Sequence, residues 1–139
     1  TKGAHRGIAH NIEINKLGSD QPIYLNKQKV FNTPAFNFDE VVKIPEGARL
    51  LASNKLNNVM SLRFNRNISD IWGIQYHPEI TYAKMISLIH FRRDRLLEKK
   101  AFIDQMEIDS HVKIIEDENK ISNKDARMRE LENWLNNLN

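Results

Sequence analysis

The sequence contains no cysteine. Disulfides, thiolate metal sites and a cysteine nucleophile are therefore excluded from these 139 residues, and any thiol chemistry has to be supplied by another chain or segment. No apolar run approaches the ~20 residues that a bilayer crossing needs. No charged-then-apolar leader precedes the first strand-like segment, so nothing points to a membrane or to export, and a cytoplasmic protein is expected. One-sided charge is also missing. The formal charge is +3, residues 1–79 carry 10 Lys+Arg against 7 Asp+Glu, and residues 80–139 carry 11 against 11. So thin a basic excess argues against nucleic acid, and the dense run Arg92-Arg93-Asp94-Arg95 reads as a solvated helix face.

What is present falls into two textures. The first half alternates short apolar runs with turn residues. Ile8 to Asn15 places Ile8, His10, Ile12 and Ile14 on one parity and ends at Gly18-Ser19-Asp20. Val30-Phe31, Asp39 to Ile44, Arg49 to Ala52, Val59 to Phe64 and Ile71 to Tyr76 are five further strand candidates, with Pro45-Glu46-Gly47 as a turn. After Pro78 the apolar period lengthens. Tyr82, Met85, Ile86, Ile89, Leu96 and Leu97 predict one helix of about 17 residues capped by Thr81. Ile108, Val112 and Ile115 predict a second helix. Met128, Leu131, Trp134, Leu135 and Leu138 fall on one face of a third, after a polar linker at Asn119 to Lys124. Trp72, Trp134, Met85 and Met128 read as packing residues. Strands first and helices afterwards would be α+β, unless the chain is part of a larger α/β sheet.

One segment carries chemistry: Trp72-Gly73-Ile74-Gln75-Tyr76-His77-Pro78-Glu79. In an extended chain, side chains two apart point the same way, so His77 and Glu79 can face one point while Pro78 stiffens the backbone between them. A carboxylate beside an imidazole fixes its tautomer and stabilises the imidazolium formed when it takes a proton. That is the base and orienter of a nucleophilic triad, with the nucleophile missing. The other histidines (His5, His10, His90, His111) show no ligand spacing, so no metal site is expected. Gly3 and Gly7 form no phosphate loop, and no cofactor is expected.

The run Gly73-Ile74-Gln75-Tyr76-His77-Pro78-Glu79 resembles the C-terminal signature of class I glutamine amidotransferases. The resemblance extends upstream to Arg6-Gly7-Ile8-Ala9, Asp39-Glu40-Val41-Val42, Ile44-Pro45-Glu46-Gly47-Ala48 and Leu51-Ala52-Ser53-Asn54. Downstream, Arg129-Glu130-Leu131-Glu132-Asn133-Trp134 is similar to a helical extension in a bacterial subgroup resembling the amidotransferase part of GMP synthase. The resemblance implies an α/β fold: a partial flavodoxin-like amidotransferase sheet followed by C-terminal helices. Residues 1–98 would be the C-terminal part of the amidotransferase domain and residues 99–139 the helical extension.

The implied reaction is hydrolysis of glutamine to glutamate and ammonia by a Cys-His-Glu triad, in which His77 moves the proton and Glu79 holds His77. The family's cysteine lies on a Gly-x-Cys-x-Gly elbow N-terminal to the segments matched here, so this chain alone is expected to be inactive. Relatives commonly carry Ser-His-x-Asp where this sequence has Phe36-Asn37-Phe38-Asp39. Ala35, Phe36 and Asn37 are nevertheless the expected glutamine contact. An alternative is a non-catalytic amidotransferase-like module acting through partner association. A strand left at a bared sheet edge predicts pairing of two copies or cover by the missing N-terminal half, and a synthetase or other ammonia acceptor is the further partner implied.

Overall fold

The computed structural model describes residues 4–138; Gly3 lies outside the described residues. Seven strands come first: β1 (His5–Arg6), β2 (Ala9–Ile14), β3 (Val30–Thr33), β4 (Phe36–Asn37), β5 (Arg49–Ser53), β6 (Ser61–Arg66) and β7 (Ser69–Ile74). A short helix α1 (Lys16–Ser19) and a 3-10 turn, Pro22–Tyr24, link β2 to β3. The helices α2 (Tyr82–Phe91), α3 (Arg93–Glu98), α4 (Gln105–Ile121), α5 (Lys124–Arg127) and α6 (Arg129–Asn137) follow. Five strands form one sheet in the order β3-β2-β5-β6-β7, and β1 pairs with β4 in a separate ribbon. Every described pairing is antiparallel.

Apolar burial divides around two adjacent residues of the chain. Ala9, Ile12 and Ile14 join Tyr24, Phe31, Leu51, Met60 and Tyr76 in a cluster on the sheet. Ile8 instead joins Tyr82, Ile89, Leu96, Phe102, Ile108, Val112 and Ile115 beneath the helices. The expected parity of β2 is broken by a bulge: Asn11 takes φ 50° and the register shifts between Ala9 and Ile12. Ala9 therefore turns inward and His10 outward, away from the face of Ile12 and Ile14. Gly7, at φ 107°, sits where a Cβ would lie 2.8 Å from Ile115 and 3.0 Å from Ile89, so β1 can approach the helices only through glycine.

Four expectations need correction. Asp39 to Ile44 forms no strand: Val41 and Ile44 are partly covered, a spacing of three that no pleat accommodates, and Val42 is 88% exposed. The long helix is two, α2 and α3, with a break at Arg92 (φ −98°, ψ 9°), although Thr81 caps it as expected by accepting from the Lys84 amide. The polar linker is shorter than Asn119 to Lys124, since α4 continues through Ile121. The apolar face of α6 is only partly covered: Met128 and Leu131 are half-buried, and the deepest contacts are polar. Glu130 and Asn133 are buried, whereas Trp134, Leu135 and Leu138 are 43%, 57% and 63% exposed. The Asn133 amide donates to the carbonyls of Ile23 and Leu25, and this docks α6 on the 3-10 turn by its polar side.

The helices are tied back to the strands by polar contacts as well. Arg6 donates to the Ala101 carbonyl at 2.7 Å and pairs with Glu107 at 3.0 Å, and His111 Nε2 donates to the Arg6 carbonyl. The basic run behaves as a helix face, with Arg92 and Arg95 exposed and Arg93 paired with Asp109 at 2.9 Å. Among the described residues, no helix is long and apolar enough to cross a membrane.

Candidate active site

His77 stands just past β7. The ladder stops at Ile74, Gln75 still donates its amide to Met60, and the chain then turns, with the Ile80 amide bonding the His77 carbonyl at 3.1 Å. Pro78 occupies the second position of this turn, where its fixed φ is favourable. His77 and Glu79 are therefore brought together by a β-turn rather than by an extended strand, a different route to the same pair. His77 Nδ1 donates to Glu79 Oε1 at 2.8 Å. With Nδ1 carrying the proton, Nε2 is the basic nitrogen, the arrangement that lets an imidazole accept a proton from an incoming nucleophile. Both side chains are about half exposed, at 45% and 51%.

Two contacts from outside hold the backbone of the turn and a third holds the side chain of the residue before it. The His77 amide donates to the Pro34 carbonyl at 2.8 Å, Arg127 Nε donates to the Pro78 carbonyl at 2.9 Å, and Tyr76 Oη donates to Glu130 Oε1 at 2.8 Å. Tyr76 also meets Tyr24 Oη at 3.0 Å, and Tyr24 donates to Ser61 at 2.6 Å. Burial pushes Tyr24 up to about 12 and Tyr76 well above the ordinary phenol value, so both stay neutral. Lys27 pairs with Glu130 Oε2 at 3.0 Å; burial lowers its ammonium pKa, and Glu130 offsets part of that.

The expected substrate residues adjoin this turn through Pro34. Ala35 is fully buried, and its amide and carbonyl both bond Gly7. The Asn37 side chain is engaged at both ends: its oxygen accepts from His5 Nδ1 at 2.8 Å and its nitrogen donates to the Asp39 carbonyl at 2.7 Å. His5 is completed by Asn54, which donates to Nε2, and burial holds its pKa below the ordinary histidine value. Phe36 is half-buried and lines a surface cleft of about 800 Å³ with Phe38, Arg92 and Arg95. Among the described residues, no group of three or more His, Asp or Glu is placed to hold a metal ion.

Sequence reasoning misses Arg127 and Lys27 as neighbours of the site, and it quotes Tyr76 and Glu130 in their motifs without giving them a contact there. Glu130 is given none because a carboxylate between apolar helix residues reads as solvent-facing, and its partners lie 54 and 103 residues away. The signal available is the pattern of the tail itself, in which Glu130 and Asn133, three apart, share one helix face.

No protein-family model matches the chain. Over 74 residues it is 32% identical to a gamma-glutamyl-L-1-hydroxyisopropylamide hydrolase of a Pseudomonas species, covering 53% of this chain and 25% of that protein. Over 81 residues it is 31% identical to a glutamine-hydrolyzing GMP synthase subunit from Methanocaldococcus jannaschii, covering 57% of this chain and 42% of that one. The chain thus spans less than half the length of these curated relatives. A glutamine amidotransferase of Thermotoga maritima superposes with a TM-score of 0.60 at 16% identity, over 94% of this chain and 50% of that one, a likeness of fold. The expected α/β amidotransferase fold is borne out by that match. In sequence the chain is thus similar to part of a gamma-glutamyl amide hydrolase and part of a GMP synthase subunit, and in fold to half of a glutamine amidotransferase.

Proposed function

We propose that this chain supplies the base and orienter of an amidotransferase that hydrolyses glutamine to glutamate and ammonia, the nucleophilic cysteine coming from a segment outside this sequence. The observation that carries the reading is the 2.8 Å bond from His77 Nδ1 to Glu79, which leaves Nε2 to take the thiol proton. In this mechanism the thiolate attacks the side-chain amide carbon, and the imidazolium held by Glu79 returns its proton to the leaving ammonia. The same Nε2 then activates the water that releases glutamate from the thioester. Residues 1–98 form the amidotransferase portion and residues 99–139 its helical extension. Of Ala35, Phe36 and Asn37, the contact with substrate falls to Phe36, because the polar groups of Ala35 and the side chain of Asn37 are already engaged.

The substrate class is a γ-glutamyl amide, with glutamine as the first member to test; the name of the Pseudomonas relative supports the wider class. A synthetase partner that takes up the ammonia is part of the proposal, supported by the Methanocaldococcus relative being one subunit of its synthase. Self-association in the cytoplasm is a further part, supported by the uncovered apolar face of α6.

The test is ammonia release from glutamine by the complete polypeptide containing this chain, by its His77→Ala variant, and by these 139 residues alone. Release by the complete enzyme, a loss of at least about 100-fold in the variant, and none from the isolated chain are expected. Undiminished release by His77→Ala would refute the assignment.

A further inference from the structure

Both neighbours of His77 are gripped from the C-terminal helices. Tyr76, immediately before it, donates to Glu130 of α6 at 2.8 Å, and Pro78, immediately after it, accepts from Arg127 of α5 at 2.9 Å. The grip is built in the interior. The Glu130 side chain is 1% exposed, and its other oxygen is held by Lys27 at 3.0 Å, whose ammonium is anchored in turn on the Ala126 carbonyl at 2.7 Å. Ala126 and Arg127 are consecutive, so one short turn both fixes Lys27 and presents the guanidinium to Pro78.

The turn needs such support. The sheet ladder ends three residues before His77, and the turn's own bond, from Ile80 to the His77 carbonyl, is 3.1 Å long. An imidazole–carboxylate pair about half exposed to water gains little from its own attraction, so on a loose turn it would sample many rotamers. A general base has to be held to within about 0.5 Å of its working geometry.

We infer that Arg127 and Glu130 are positioning residues for His77, so that the C-terminal helices belong to the catalytic apparatus. The inference rests on the reading of His77 as the base. It places the polar face of the tail, rather than its exposed apolar face, at the centre of what the tail does.

The experiment is nuclear magnetic resonance of the complete polypeptide containing this chain and carrying Arg127→Met or Tyr76→Phe, each of which removes one donor and keeps most of the packing. Hydrogen exchange is measured at the His77 and Ile80 amides against the amides of β6 and β7, with the imidazole tautomer read from its nitrogen shifts. At least about tenfold faster exchange at His77 and Ile80 is expected, with mixed tautomers, an unchanged ladder, and partial recovery in Arg127→Lys. Exchange that rises equally throughout the chain, or does not rise at His77, would overturn the inference, as a merely structural contact predicts. No substrate enters these readouts, so a complete enzyme that failed to hydrolyse glutamine would remove the amidotransferase reading and leave the exchange ratios standing.

Discussion

Glu130 and Lys27 pair at 3.0 Å across 103 residues of chain, with side chains 1% and 5% exposed. An ion pair so deep is stable only because each group is otherwise satisfied: Glu130 by Tyr76, Lys27 by the Ala126 carbonyl and by the Phe31 ring 4.3 Å away. Removing one member strands the other. Lys27→Met alone is expected to destabilise the chain by about 3–5 kcal/mol, measured by urea unfolding. Adding Glu130→Gln, which removes the stranded charge and keeps an acceptor for Tyr76, is expected to recover most of that loss.

His5 and His111 are both buried enough that desolvation lowers their pKa below the ordinary 6.5, despite the opposing bonds to Asn37 and to the Arg6 carbonyl. In each case the unfolded chain takes up a proton more readily than the folded one. Their contribution is therefore complete above pH 6.5 and is lost as pH falls through that value toward the lowered folded pKa. The melting temperature is expected to drop between about pH 7 and pH 5, and His5→Gln is expected to flatten that slope.

Gly7 combines a φ of 107° with a site where a Cβ would meet Ile115 at 2.8 Å. Gly7→Ala is expected to cost about 3 kcal/mol through strain and displacement of the helical core, checked by thermal unfolding. Gly47→Ala, at φ 75° but in open space, should cost only its backbone strain, about 1 kcal/mol.

His77 touches little of the core, being 45% exposed. His77→Ala is expected to change unfolding free energy by no more than about 0.5 kcal/mol while abolishing ammonia release by the complete enzyme. A large stability loss would mean that the imidazole serves the fold.

Trp134, Leu135 and Leu138 present an apolar stripe to solvent. If this stripe pairs two copies, Leu135→Glu is expected to reduce the mass seen by light scattering at micromolar concentration without lowering the melting temperature.

Local chemistry by itself determined much of this protein. The turn residues and the apolar period separated strands from helices near Pro78, Thr81 had no better use than a cap, and the His-Pro-Glu run marked the candidate site, because each of these effects acts within a few residues. The tertiary structure decided where neighbours in space differ from neighbours in sequence. A bulge at Asn11 sent Ile8 and Ile12 to different cores, and Asp39 to Ile44 stayed out of the sheet, its covered residues Val41 and Ile44 lying three apart. The largest difference is at α6, whose apolar stripe is covered only at Met128 and Leu131. Its polar side is the buried one because the carbonyls of Ile23 and Leu25, the Lys27 ammonium and the Tyr76 hydroxyl all require partners, and Asn133 and Glu130 satisfy them. Buried polar groups left unpaired cost more than a few exposed apolar side chains, and where those groups meet is a property of the folded chain alone.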